Sequence, residues 1–179
     1  MADQDMINLA EYLKFKPFPE KLVQNLNNNI KQGESSQKWN FSRELEWLDA
    51  IINLIEFGAN PEPVLDQVIQ LIDCSDPDVL TKVYLILNHV AKSDPDLSLL
   101  AINKVLTYSS PSNSQMLFHM DLALNFLCIL CEGLDPPTLV KDCFNEIRFN
   151  TNAKIKKYYY LGMYNNFKFL KFADLNRCK

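Results

Sequence analysis

Glycine is scarce in this sequence. Four glycines in 179 residues are too few for a phosphate-cradling loop or for the tight turns of an all-β fold. No run approaches 18 unbroken apolar residues, so no membrane-spanning helix is expected. The opening residues Met1-Ala2-Asp3-Gln4-Asp5 are acidic, and no apolar stretch follows them. The expectation is a chain without a secretory leader, located in the cytoplasm. Cysteines are odd in number and irregularly spaced, at 74, 128, 131, 143 and 178, which does not make a disulfide framework. Cys128-Ile129-Leu130-Cys131 is formally a CxxC pair. It lies in an apolar run with no second pair and no nearby histidine, so the residues favour packing as small hydrophobes over metal or redox chemistry.

Catalytic signatures are missing as well. There is no HExxH, P-loop or GxGxxG sequence, and the two histidines, His89 and His119, stand 30 residues apart with no carboxylate motif around them. Packed or surface histidines are the plainer reading. The expectation is a non-enzymatic protein with no cofactor, catalytic residue or metal site.

Helical punctuation is present throughout. Asn60-Pro61, Asp76-Pro77, Asp94-Pro95, Ser110-Pro111 and Asp135-Pro136 each precede an apolar run, at steps of 16, 18, 16 and 25 residues. Asn, Asp or Ser accepts hydrogen bonds from free helix N–H groups, and Pro in the first turn loses none. Between these marks apolar residues recur at helical spacing. One stripe is Val79, Val83, Leu87 and Val90, broadened by Leu80 and Tyr84; a second is Leu97, Leu100, Ala101, Val105 and Tyr108. Further stripes run over 41–57 and 64–72, the segment 115–131 is apolar on most sides, and 139–149 and 154–172 complete the set. Val83, Leu87, Leu100, Leu124 and Leu127 are expected in the core, and Gly162 is expected to permit close helix packing.

Two helices thus occupy about 34 to 40 residues, the period of HEAT or armadillo-type repeats. The predicted fold is all-α, an α-solenoid of antiparallel helix pairs stacked with a right hand. Residues 41–179 form the helical-repeat domain. Residues 1–40 form an N-terminal region of short helices, over 3–13 and 20–30, closed by a polar loop at 31–40.

Charge is unevenly distributed. Residues 1–140 hold 9 Lys/Arg and 19 Asp/Glu, a net of −10, whereas residues 141–179 hold 9 and 3, a net of +6. Lys154, Lys156 and Lys157 open one helix and are the candidates for contact with an anionic lipid surface; solvation of a helix start is the competing reading. Lysines beside Tyr158, Tyr159 and Tyr160 also fit nucleic-acid stacking, but one short cluster is too little, and no nucleic-acid partner is expected. Tyr158, Tyr160, Tyr164, Phe167 and Phe169 make the last segment unusually aromatic. They are the candidates for a protein interface, since exposed aromatic patches mark one.

The segment from Val83 to Asn103 resembles the N-terminal trunk of the β-type adaptins, the large subunits of clathrin-adaptor complexes. Val83-Tyr84-Leu85, Ala91-Lys92, Pro95-Asp96 and Ala101-Ile102-Asn103 match that family in order and spacing. The likeness extends more weakly over about residues 44–168, through 46–71, Leu122–Cys128 and Asn152–Lys157. The chain departs from the family at Leu80-Thr81, where adaptins carry Lys-Lys, and at Pro111-Ser112-Asn113-Ser114, where the family's following helix carries an Arg that is missing here. The family's basic N-terminus is also absent. The resemblance implies a scaffold subunit of an adaptor-type vesicle coat, acting in intracellular protein transport. Its partners would be the other large, medium and small adaptor subunits, with a small GTPase, clathrin and an anionic membrane as further contacts on Golgi, endosomal or plasma-membrane coats. The alternative is a generic armadillo/HEAT-repeat scaffold unrelated to vesicle coats.

Overall fold

A computed structural model describes residues 41–110 and 117–166, with side chains for 44–110 and 117–165, and these are helical with no strand among them. Helix α1 covers Phe41–Glu56 and α2 covers Glu62–Gln70, the latter closed by a 3₁₀ turn at Leu71–Asp73. Helix α3 is Pro77–Ser93. A short α4, Pro95–Ser98, passes through a 3₁₀ turn at Leu99–Ala101 into α5, Ile102–Ser109. Helix α6 is Leu117–Gly133, α7 is Thr138–Ile147 and α8 is Ala153–Asn166. The short N-terminal helices expected over 3–30 lie outside the described residues. The chain divides into two compact units, residues 1–86 and 87–179, with the boundary inside α3.

The punctuation works by hydrogen bonding. Asp76 Oδ1 accepts from the N–H groups of Asp78 at 2.9 Å and Val79 at 3.0 Å. Asp94 Oδ1 accepts from Leu97 N at 3.0 Å, and Asn60 Oδ1 from Glu62 N at 3.0 Å. Each carboxylate or amide satisfies donors that the first helical turn leaves open. Asp135-Pro136 behaves differently. Pro137 follows, and a residue before proline is pushed out of the helical region. Pro137 itself is extended (φ −52°, ψ 152°), and α7 begins only at Thr138 with no side-chain cap. Asp135 instead pairs with Lys141 Nζ at 2.8 Å.

At the other end of α1, Gly58 adopts φ 86°. Its N–H donates to Ile55 O at 2.8 Å, and Ala59 N–H donates to Leu54 O at 2.9 Å. These are the paired bonds of a Schellman stop, and a left-handed φ is what makes glycine suited to it. In the first unit Leu48, Ile51, Ile55, Val64, Leu65 and Val68 are buried, together with Val79, Val83 and Tyr84 of α3.

In the second unit α6 is the central element. His119, Met120, Ala123, Leu124, Phe126, Leu127, Cys128, Leu130 and Cys131 are all buried, as an all-round apolar helix requires. It packs against α4, α5 and α8, while α7 packs against α5 and α8. Leu87, Leu124 and Leu127 are fully buried, as the stripes imply. Leu100 corrects that reading, being 61% exposed. The expected stripe assumes an unbroken α-helix. The 3₁₀ turn at Leu99–Ala101 advances about 120° per residue instead of about 100° and shifts the phase. The buried line becomes Ser98, Ala101, Ile102, Val105 and Ser109. Gly133 lets α4 approach α6 closely. A Cβ added at Gly133 would lie 2.5 Å from Pro95 Cγ.

Candidate functional site

The aromatic-basic helix α8 has two faces of different character. Its inward face is Ile155, Tyr158, Gly162 and Asn165, all buried. Asn152 Oδ1 accepts from Lys154 N at 2.9 Å and starts the helix. Gly162 lies against Phe144 of α7, where a Cβ would meet the ring at 2.7 to 2.8 Å. Only glycine permits this approach without displacing a fully buried ring.

The polar contacts to α6 hold one register. Tyr158 Oη donates to Asp121 Oδ1 at 2.9 Å, and Asn165 Nδ2 donates to Cys128 O at 2.9 Å. Both pairs are separated by 37 residues. A constant separation means that α6 and α8 run parallel, in step. Related contacts join Ser109 Oγ to Cys143 Sγ, 34 residues apart, and Lys82 to Asp49, 33 residues apart. The first of these lies between α5 and α7, and the second between α1 and α3 of the first unit.

The thiols are structural in character. Cys128 and Cys131 are buried, and burial raises both, Cys131 to about 12. A thiol held protonated is a poor nucleophile and metal ligand. Burial also raises the Tyr158 phenol, with the hydrogen bond to Asp121 and its charge adding to the effect. His119 is buried and stacks on Tyr108 at 3.9 Å and 14° between planes, while His89 is exposed. No group of three or more His, Cys, Asp or Glu among the described residues is arranged to hold a metal, and no helix among them is long and apolar enough to cross a membrane.

The sequence-predicted contact residues separate into three groups. Tyr158, taken as an interface residue, is 3% exposed and belongs to the α6–α8 packing. The correction follows from helix geometry: Tyr158 shares the inward face with Ile155, Gly162 and Asn165. Tyr160 and Tyr164 lie outward, 61% and 69% exposed, and Leu161, which the aromatic count passed over, is 41% exposed beside them. Phe167 and Phe169 lie outside the described residues. Lys154, Lys156 and Lys157 are all exposed but do not share one face. At about 100° per residue, Lys156 stands about 200° from Lys154. Lys157 lies 3.9 Å from Asp121 and 4.4 Å above the Tyr158 ring. Lys154 borders an open cleft lined by Leu117, Phe118, Asp121, Asn152 and Ile155. Both apolar residues at its α6 rim are exposed, Leu117 at 54% and Phe118 at 47%.

No family model, curated protein or solved structure gives a significant match to this chain.

Proposed function

We propose that this chain is a scaffold subunit of an adaptor-type vesicle coat, built from the early repeats of an adaptin-like trunk and acting in protein transport by binding other polypeptides. The observation that carries the reading is the register between second-neighbour helices. Contacts at separations of 33, 34 and 37 residues are what stacked helix pairs of one period give. Helices α1, α3 and α6 end at residues 56, 93 and 133, steps of 37 and 40, which supports a repeat of about that length. The segment that resembles the β-type adaptins spans the corner between α3 and α4, where Asp94 caps the turn ahead of Pro95-Asp96.

On this reading the partners are the second large, the medium and the small adaptor subunits, and a small GTPase, clathrin and an anionic leaflet are further contacts. The location is cytoplasmic, at the surface of Golgi, endosomal or plasma membranes. Affinity capture with the full chain tests it. Recovery of those three subunit classes is the expected result. Recovery of unrelated peptides in their place favours a helical-repeat scaffold outside the coat machinery.

A further inference from the structure

The outward face of α8 carries a pattern of its own. Lys157, Tyr160, Leu161 and Tyr164 fall at i, i+3, i+4 and i+7, one continuous stripe on a helix of about 3.6 residues per turn. The three apolar members are 61%, 41% and 69% exposed. Tyr160 makes an edge contact with Tyr159, with centroids 5.3 Å apart. Two turns of helix carrying two tyrosines and a leucine present a ridge of side chains at the spacing with which a second helix packs.

Charge identifies the partner. From residue 147 to residue 173 the sequence holds six cations, Arg148, Lys154, Lys156, Lys157, Lys168 and Lys171, and no Asp or Glu. Lys157 begins the stripe on α8 and Lys156 flanks it. Lys157 Nζ lies 3.9 Å from the Asp121 carboxylate. Complementary charge speeds encounter and rejects wrong partners. A lipid surface fits less well, because the lysines diverge around the helix instead of lying in one plane. We infer that the stripe Tyr160, Leu161 and Tyr164, with Lys156 and Lys157 at its edge, docks an acidic amphipathic helix of another polypeptide. The inference rests on the scaffold reading but not on the coat assignment.

The test uses the full chain and two synthetic amphipathic helical peptides, one with Leu and Glu, the other with Lys in place of each Glu. Fluorescence anisotropy reads binding, and sedimentation with phosphatidylserine-containing vesicles runs in parallel. The substituted positions are exposed, and circular dichroism checks that the variants fold. The Glu peptide binds and the Lys peptide does not. Tyr160→Ser with Tyr164→Ser weakens Glu-peptide binding at least tenfold, and Lys156→Glu with Lys157→Glu reverses the preference. Equal binding of both peptides, binding of neither, or no loss in the tyrosine variant overturns the inference. Sedimentation with anionic vesicles in the absence of Glu-peptide binding also overturns it, in favour of a membrane contact. Peptide binding without capture of coat subunits would keep the stripe and remove the coat assignment.

Discussion

The Tyr158 hydroxyl donates to the Asp121 carboxylate at 2.9 Å, across two helices that run in step. The phenol is buried and the acceptor is partly solvated. A hydrogen bond to a charged group contributes about 1.5–3 kcal/mol, and partial exposure puts this one near the low end. Tyr158→Phe is expected to lower stability by about 1–2 kcal/mol in urea unfolding. An unchanged midpoint would show that the bond adds nothing to the register.

The same pair sets an alkaline dependence. The Tyr158 phenol is raised in the folded state above its ordinary value of 10.0. Folding therefore favours the protonated phenol. Its stabilising contribution is complete below the unfolded value and is lost as pH rises through the folded one. The stability difference between wild type and Tyr158→Phe should be constant from pH 7 to about 9 and shrink above about 10. A difference that grows in that range would have the wrong sign.

Gly162 sets the α7–α8 contact. Gly162→Ala gains about 1 kcal/mol of helix propensity but forces a methyl group against the Phe144 ring, an overpacking cost of about 1–3 kcal/mol. Net destabilisation is expected, with a lower Tm in calorimetry. In a Phe144→Leu background the same substitution should become neutral or stabilising, because the ring it meets is gone. Additive effects in this double-mutant cycle would contradict the contact.

Two aspartates with the same sequence signature should differ in worth. Asp76 caps α3 through two backbone N–H groups, so Asp76→Ala is expected to cost about 1 kcal/mol. Asp135 makes an exposed ion pair with Lys141 and no cap. Asp135→Ala should fall within about 0.5 kcal/mol of wild type. Thermal unfolding of the two variants side by side checks the contrast.

The helical class and most of the core were legible in the sequence, because they follow from periodicity and capping. Val83, Leu87, Leu124 and Leu127 lie where the stripes place them. Leu100 does not, because a 3₁₀ turn three residues long changes the phase without any glycine or proline at the turn itself to mark it. Leu87→Ala should therefore cost about 2–5 kcal/mol, while Leu100→Ala should cost little. In the last helix, composition singled out an aromatic segment but could not assign its faces. Tyr158 and Tyr160 are equally aromatic. Their separation into core and surface depends on where α6 and α7 meet α8, which depends in turn on Gly162 and Asn165. The two-helix period of about 34 to 40 residues was legible in the punctuation, but the pairs that fix the register, Tyr158–Asp121 and Asn165–Cys128, were not, since each joins residues 37 apart.

The proposed role makes this chain one subunit of a larger protein scaffold. Co-expression with the second large, medium and small adaptor subunits, followed by light scattering on the purified material, tests it most directly. The expected result is a single particle whose mass equals one copy of each chain. A chain that elutes alone at 20.7 kDa, with the other subunits in a separate peak, would contradict it.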